Sequence, residues 1–116
     1  MNTKEEGNEG EALALEHLQR KGFKLVMRNY RYGRGEIDIV MKDKESLVFV
    51  EVKARKSTEY GEPEEAVTKS KRSQLRYVAK GYLFEMKIED VQCRFDVIAI
   101  VYPEGKPVIR HIENAF

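Results

Sequence analysis

Hydrophobic positions recur along this chain with two different periods, and the changes between them mark the elements. From Glu9 to Lys21, the positions Glu11, Ala14, Leu15 and Leu18 share one face at helical spacing, which predicts a first helix. Arg20 and Lys21 suit the negative end of its dipole, and Gly22 suits a left-handed cap. Phe23 to Tyr30 reads as a strand, Arg31 to Gly35 as a turn with two glycines, and Glu36 to Met41 as a second strand. Alternation in that strand sets Ile37, Ile39 and Met41 on one face and Glu36, Asp38 and Val40 on the other. The polar stretch Lys42 to Ser46 predicts a hairpin turn into a third strand, Leu47 to Lys53. Leu47 to Val50 is apolar on both faces, so this strand is expected to be buried and central.

Ala54 to Pro63 is polar and contains Gly61, which predicts a loop at the end of that central strand. A helical signal runs from Glu64 to about Met86 with an irregularity near Thr68 to Ser70; Leu75, Val78, Ala79 and Tyr82 form its apolar stripe, and Gly81 weakens it slightly. Cys93 to Tyr102 reads as a fourth strand, Pro103 to Pro107 as a turn, and Val108 to Ile112 as a fifth, edge strand. The order α-β-β-β-α-β-β implies an α/β fold, a central mixed sheet flanked by helices. At 116 residues the chain is long enough for one core but not two, so residues 1–116 are expected to form a single domain.

Composition narrows the class without naming a chemistry. The lone cysteine, Cys93, has no intramolecular disulfide partner and is expected to be a buried core thiol, in keeping with a reducing cytoplasm. The start, Met1 to Glu6, is acidic and lacks an apolar stretch, so no secretory signal is expected. The longest apolar run, Val97 to Tyr102, is far too short to span a bilayer, and no membrane partner is expected. The net charge of +1 is uninformative, but its distribution is not. Residues 1–16 carry five glutamates and one lysine, whereas residues 69–80 carry Lys69, Lys71, Arg72, Arg76 and Lys80 without an acid. Arg28, Arg31 and Arg34 make a second basic set, and Lys53, Arg55 and Lys56 a third. Any one of these is ordinary solvated surface; three sets around an acidic pair suggest a groove that tracks phosphates.

The acidic pair is Asp38 on the second strand and Glu51 on the third. Glu51 and Lys53 point to the same face, roughly 7 Å apart along the strand, at the end of an apolar run that packing alone does not end with charges. Two carboxylates beside a lysine can bind a hard divalent cation and steady an attacking water, which is the chemistry of phosphodiester hydrolysis. Glu51 is read as a metal ligand and Lys53 as holding the water or the phosphate. Asp38 lies between two isoleucines and is read as the second ligand, with Glu36 nearer the turn as a supporting or surface acid. Glu11 lies on the apolar stripe of helix 1, where stabilising the helix N-terminus would explain it equally well. Asp96 could be held by a salt bridge to Arg94 or Lys53, and His17 and His111 are read as structural. No Cys/His zinc pattern, phosphate-cradling glycine loop or serine nucleophile motif is present.

Asp38 followed by Glu51-Val52-Lys53 resembles the PD-(D/E)xK signature of restriction-endonuclease-like nucleases, with Ile37 in place of the proline. Gly7-Asn8-Glu9-Gly10-Glu11-Ala12 is similar to the opening of archaeal Holliday-junction resolvases, a resemblance that implies a metal-ligand role for Glu11. Gln74 with Tyr77 resembles the later Gln-x-x-x-Tyr element, the tyrosine standing one residue early. Across the domain, Gly7 to Leu18, Arg28 to Arg31, Gly35 to Asp38, Val48 to Arg55 and Arg94 to Val97 together resemble the small bacterial YraN-like family. The resemblance implies a restriction-endonuclease-like fold and a cytoplasmic protein; it does not fix an activity.

The expectation is therefore a Mg²⁺- or Mn²⁺-dependent endonuclease. Asp38, Glu51 and Glu11 would surround the metal, and Lys53 would act on the scissile phosphate. Arg55, Lys56, Lys71, Arg72, Gln74 and Arg76 would contact nucleic acid, with DNA as the expected partner and branched DNA favoured by analogy. Two-fold DNA symmetry would suit a homodimer. The alternative is a non-catalytic module that keeps the fold to bind nucleic acid or protein.

Overall fold

The computed structural model describes residues 3–116, and side chains from Glu9 onward. Helix α1 (Thr3–Arg20) is followed by strands β1 (Lys24–Tyr32), β2 (Gly35–Asp43) and β3 (Ser46–Arg55), helix α2 (Lys69–Glu85), and strands β4 (Cys93–Val101) and β5 (Val108–Ile112). The elements follow the expected order, and the five strands form one sheet in sequence order, β1-β2-β3-β4-β5. β3 is thus central, as its two-sided apolar run requires. It pairs antiparallel with β2 and parallel with β4, while β1–β2 and β4–β5 are antiparallel. A parallel neighbour needs a crossover, and α2 supplies it. The mixed sheet with flanking helices is consistent with a restriction-endonuclease-like fold.

Alternation along β3 divides the core. Leu47 and Phe49 pack with Leu75, Val78, Ala79 and Tyr82 of α2; Val48 and Val50 pack with Ala14 and Leu18 of α1. One helix therefore covers each face. The irregularity expected near Thr68 to Ser70 is a full break: a short 3-10 turn, Pro63–Ala66, precedes it, and α2 itself starts behind Thr68, whose hydroxyl accepts from the Lys71 amide. The ends of α1, β1 and β2 differ from expectation by a few residues, because hydrogen bonding extends past the hydrophobic pattern.

Two expectations are corrected. Alternation does not run unbroken through β2: Ile37 and Val40 both pack on the α2 side, with Ile39 and Met41 on the α1 side, so the phase slips around Asp38. Opposite that slip, between the pairs Arg28↔Ile39 and Tyr30↔Ile37, Asn29 takes φ 53°. Cys93 is not a core thiol but exposed, since it opens β4 and the fully buried stretch of that strand begins only at Asp96.

Gly81 shows why α2 can sit where it does. A Cβ there would lie 2.3 Å from Cγ of Tyr32, whose ring leans on Tyr77. Helix propensity alone expects Gly81→Ala to stabilise by about 1 kcal/mol. The steric contact reverses the sign, and a loss of about 1–3 kcal/mol is expected in urea denaturation. In a Tyr32→Ala background the same substitution should become neutral or stabilising.

Candidate active site

β2 and β3 pair from Asp43↔Ser46 up to Ile39↔Val50, and there their ladder ends. β3 continues alone beside β4 as far as Arg55↔Val101. Buried backbone donors need partners, and the Val52 amide finds one in a side chain: it donates to Asp38 Oδ2 at 2.8 Å. The two strands thus part at Asp38 and Glu51, and the opening forms a cleft of about 950 Å³. Because it opens between strands, both sides of the sheet reach it. α1 contributes Glu9, Gly10 and Glu11, and α2 contributes Lys71. Gly10 is buried, and a Cβ there would touch Ala54, Val52 and Ile100 at 3.6–3.8 Å, so α1 lies directly on the end of β3.

Glu51 is 4% exposed and faces α2, on the same side as Phe49. Its Oε2 has no hydrogen-bond partner. Lys71 Nζ stands 3.5 Å from that oxygen, close enough for an ion pair but longer than a charge-assisted hydrogen bond. Burial, then a hydrogen bond shared with Asp38 and the charge of Asp38, push the Glu51 carboxyl up to about 8; Lys71 and Lys53 pull the other way. Lys53, Arg55 and Lys56 line the cleft beyond Glu51, with Tyr102 and Gly105 from the β4–β5 connection.

Glu11 is half-buried in the same cleft. Arg28 approaches it at 3.8 Å, and Asn29, with its amide turned to donate, reaches Glu11 Oε1 and Glu36 Oε1, both at 3.0 Å. Its carboxyl is raised by burial first and by Asp38 second, with Arg28 opposing. Among the described residues no three acid, histidine or cysteine side chains converge as a closed ligand set, so Glu11 borders the Asp38–Glu51 pair without completing one. The pair itself suits a hard cation: both donors are oxygen, and one is a buried carboxylate oxygen with nothing to accept from.

Of the residues expected to contact nucleic acid, Arg55, Lys56 and Lys71 border the cleft and three do not. Arg72 donates to the Val67 carbonyl at 3.1 Å, and its guanidinium lies 5.5 Å from the Phe116 ring centroid, with that of Arg76 at 5.2 Å. Gln74 is exposed and lies against Gly35. Asn29 and Tyr102 join the site without having been singled out in the sequence. An asparagine within a strand is the one signal that could have pointed to the former.

Asp96, also buried, is a different case. Arg94 Nε and His111 Nε2 reach it at 2.9 and 2.7 Å, the Asn114 amide donates at 3.0 Å, and Arg94 also bonds Asp43 at 3.1 Å. Burial would raise this carboxyl, but the bonds from His111, Arg94 and Asn114 outweigh it and hold it low. The expected Arg94 salt bridge is present, and His111, whose other nitrogen meets Lys21 Nζ at 2.8 Å, is part of the same structural network.

The raised Glu51 carboxyl fixes a sign. Its protonated form favours folding, so its contribution is full below about 4.5 and is lost as the pH rises toward about 8. Without divalent ions, Glu51→Gln should therefore stabilise the protein, by an amount that grows across this window to at most about 5 kcal/mol and then levels off. Urea midpoints at pH 5, 7 and 9 check this; a gain that is the same at all three would contradict it.

A family model described as uncharacterised protein family UPF0102 matches residues 10–100, which include Gly10, Glu11, Asn29, Asp38, Glu51 to Lys56 and Lys71. A UPF0102 protein of Geobacter metallireducens is 44% identical over 116 residues, covering 100% of this chain and 95% of the relative. One of Chlorobaculum tepidum is 45% identical over 116 residues, covering 95% and 90%. One of Caldicellulosiruptor saccharolyticus is 40% identical over 118 residues, covering the whole of both. With most of its cleft-lining residues inside the matched segment and near-complete coverage of these relatives, the chain belongs to the UPF0102, or YraN-like, family.

Proposed function

We propose that this protein is a divalent-cation-dependent nuclease that hydrolyses phosphodiester bonds in DNA, with branched DNA as the favoured substrate. The observation that carries the reading is the buried Glu51 oxygen that accepts no hydrogen bond, beside Asp38, at the point where β2 and β3 part. A structural acid in such a position would be satisfied, as Asp96 is. Asp38 and Glu51 would hold Mg²⁺ or Mn²⁺. When bound, that ion would polarise a phosphoryl oxygen and lower the pKa of water.

The chain's own groups supply the rest. Lys53, on the strand that carries Glu51, would orient the attacking water and offset charge on the phosphate as it develops. Arg55 and Lys56 extend the same wall of the cleft and suit the flanking phosphates. The first turn of α2 carries Lys69, Lys71 and Arg72 and no acid. Cations oppose the helix dipole at that end, so their presence there suits an anionic ligand better than helix stability. A non-catalytic binding module is the second reading, favoured by the lack of a third converging acid among the described residues.

A panel of duplex, flap, junction and RNA substrates with Mg²⁺ or Mn²⁺ separates the two. Cleavage is expected on DNA, and Lys53→Ala should lower turnover by on the order of 10²–10³ while leaving most DNA affinity. Lys53→Arg should not restore it, because a planar guanidinium does not replace a compact ammonium. Metal-dependent binding without cleavage of any substrate would favour the module. Charge reversal at Arg55 and Lys56 should weaken DNA binding and flatten its salt dependence more than reversal at Arg72 and Arg76, which pack on Phe116.

A further inference from the structure

Lys71 stands where a cation is needed, yet its contact with Glu51 is loose. The carboxylate belongs to the central strand, is 4% exposed and cannot leave. The lysine side chain is about a third exposed, on a flexible stem, and reaches Glu51 Oε2 at 3.5 Å without a hydrogen bond. A divalent ion binds carboxylate oxygen at about 2.0–2.6 Å with twice the charge. The two cations would compete for one oxygen, and the ammonium is the weaker and more mobile competitor.

We propose that Lys71 is the resident counter-cation of the metal-free site, displaced from Glu51 when a divalent ion binds and thereby released toward the anionic ligand in the cleft. This rests on the metal-site reading above. Its placement supports the exchange: Lys71 lies in the first turn of α2, where its charge does not help the helix, and it borders the same cleft as Lys53, Arg55 and Lys56. Loading of the ion and readiness for a phosphate would then be one event. An empty site would hold its lysine back, and a loaded site would present it.

Calorimetry with Mn²⁺ alone, above pH 8 so that Glu51 is ionised, tests this on the full chain. Lys71→Met keeps the stem and removes the competitor, so Mn²⁺ should bind roughly tenfold more tightly than to wild type, within the usual range for coupled sites. Lys71→Arg should bind no more tightly than wild type. Unchanged or weaker binding by Lys71→Met, with binding lost in Glu51→Gln, would overturn the exchange and leave the metal site standing. No Mn²⁺ binding by wild type or by Lys71→Met would overturn both. Wild type supplies a second measurement that does not depend on the variant folding. Titration with Mg²⁺ should move the Lys71 side-chain Cε and Nζ resonances toward those of solvent-exposed lysines, and resonances that stay fixed while Mg²⁺ binds would refute displacement.

Discussion

The hydrogen bond from the Val52 amide to Asp38 decides what the sheet can do. A sheet is stable when each strand's amides find the next strand's carbonyls, and a ladder that stops early leaves donors in need. Here β2 leaves β3 after Ile39↔Val50, and a carboxylate takes the place of backbone at Val52. That exchange keeps the sheet intact on the β4 side while opening it on the β2 side. It also fixes Asp38 beside Glu51, so the group that repairs the sheet is one of the two that define the site. Replacing Asp38 by an apolar residue would therefore cost both a buried hydrogen bond and a candidate ligand.

Two buried acids on adjacent strands show that burial is not the mark of function here. Asp96 and Glu51 lie one register step apart across the β3–β4 ladder, on opposite faces of the sheet. Asp96 faces α1 and is surrounded by donors from Arg94, His111 and Asn114, which hold it ionised. Glu51 faces α2 with an oxygen that accepts no hydrogen bond, and its carboxyl is driven upward. The same sheet thus contains a finished polar network and an unfinished one. Only the unfinished one opens into the cleft, where an added cation would complete it.

The elements were legible because period and length are local properties. The two-sided apolar run from Leu47 to Val50 named the central strand, the break near Thr68 named the start of α2, and the stripe Leu75, Val78, Ala79 and Tyr82 named its buried face. The convergence of Asp38 and Glu51 was legible for a related reason: a charge at the end of an apolar run, and an acid between two isoleucines, each break a local rule. What the sequence did not disclose depends on distant partners. The phase slip at Asp38 follows from the end of the β2–β3 ladder and from Asn29 on β1, neither of which a window of β2 contains. Arg72 and Arg76 looked equivalent to Lys71 on the helix, but the chain end folds back so that Phe116 stacks on Phe95 and lies beneath both guanidiniums. Cys93 adjoined an apolar strand in sequence, yet stands ahead of its buried stretch in space.

Consistency between local preference and global fold is the usual condition of a stable protein, and its exceptions carry information. Several exceptions occur in this chain: a left-handed asparagine within a strand, a helix whose first turn is basic, a buried glutamate with one oxygen that accepts no hydrogen bond, and a strand ladder that ends in mid-sheet. Each costs stability on its own. Scattered, they would read as tolerated imperfections. Instead Asn29 reaches the Glu11 and Glu36 carboxylates, the α2 turn delivers Lys71 to Glu51, and the end of the ladder places Asp38 beside both. Independent defects have no reason to share a cleft, whereas the proposed ion and phosphate site would call for all four together.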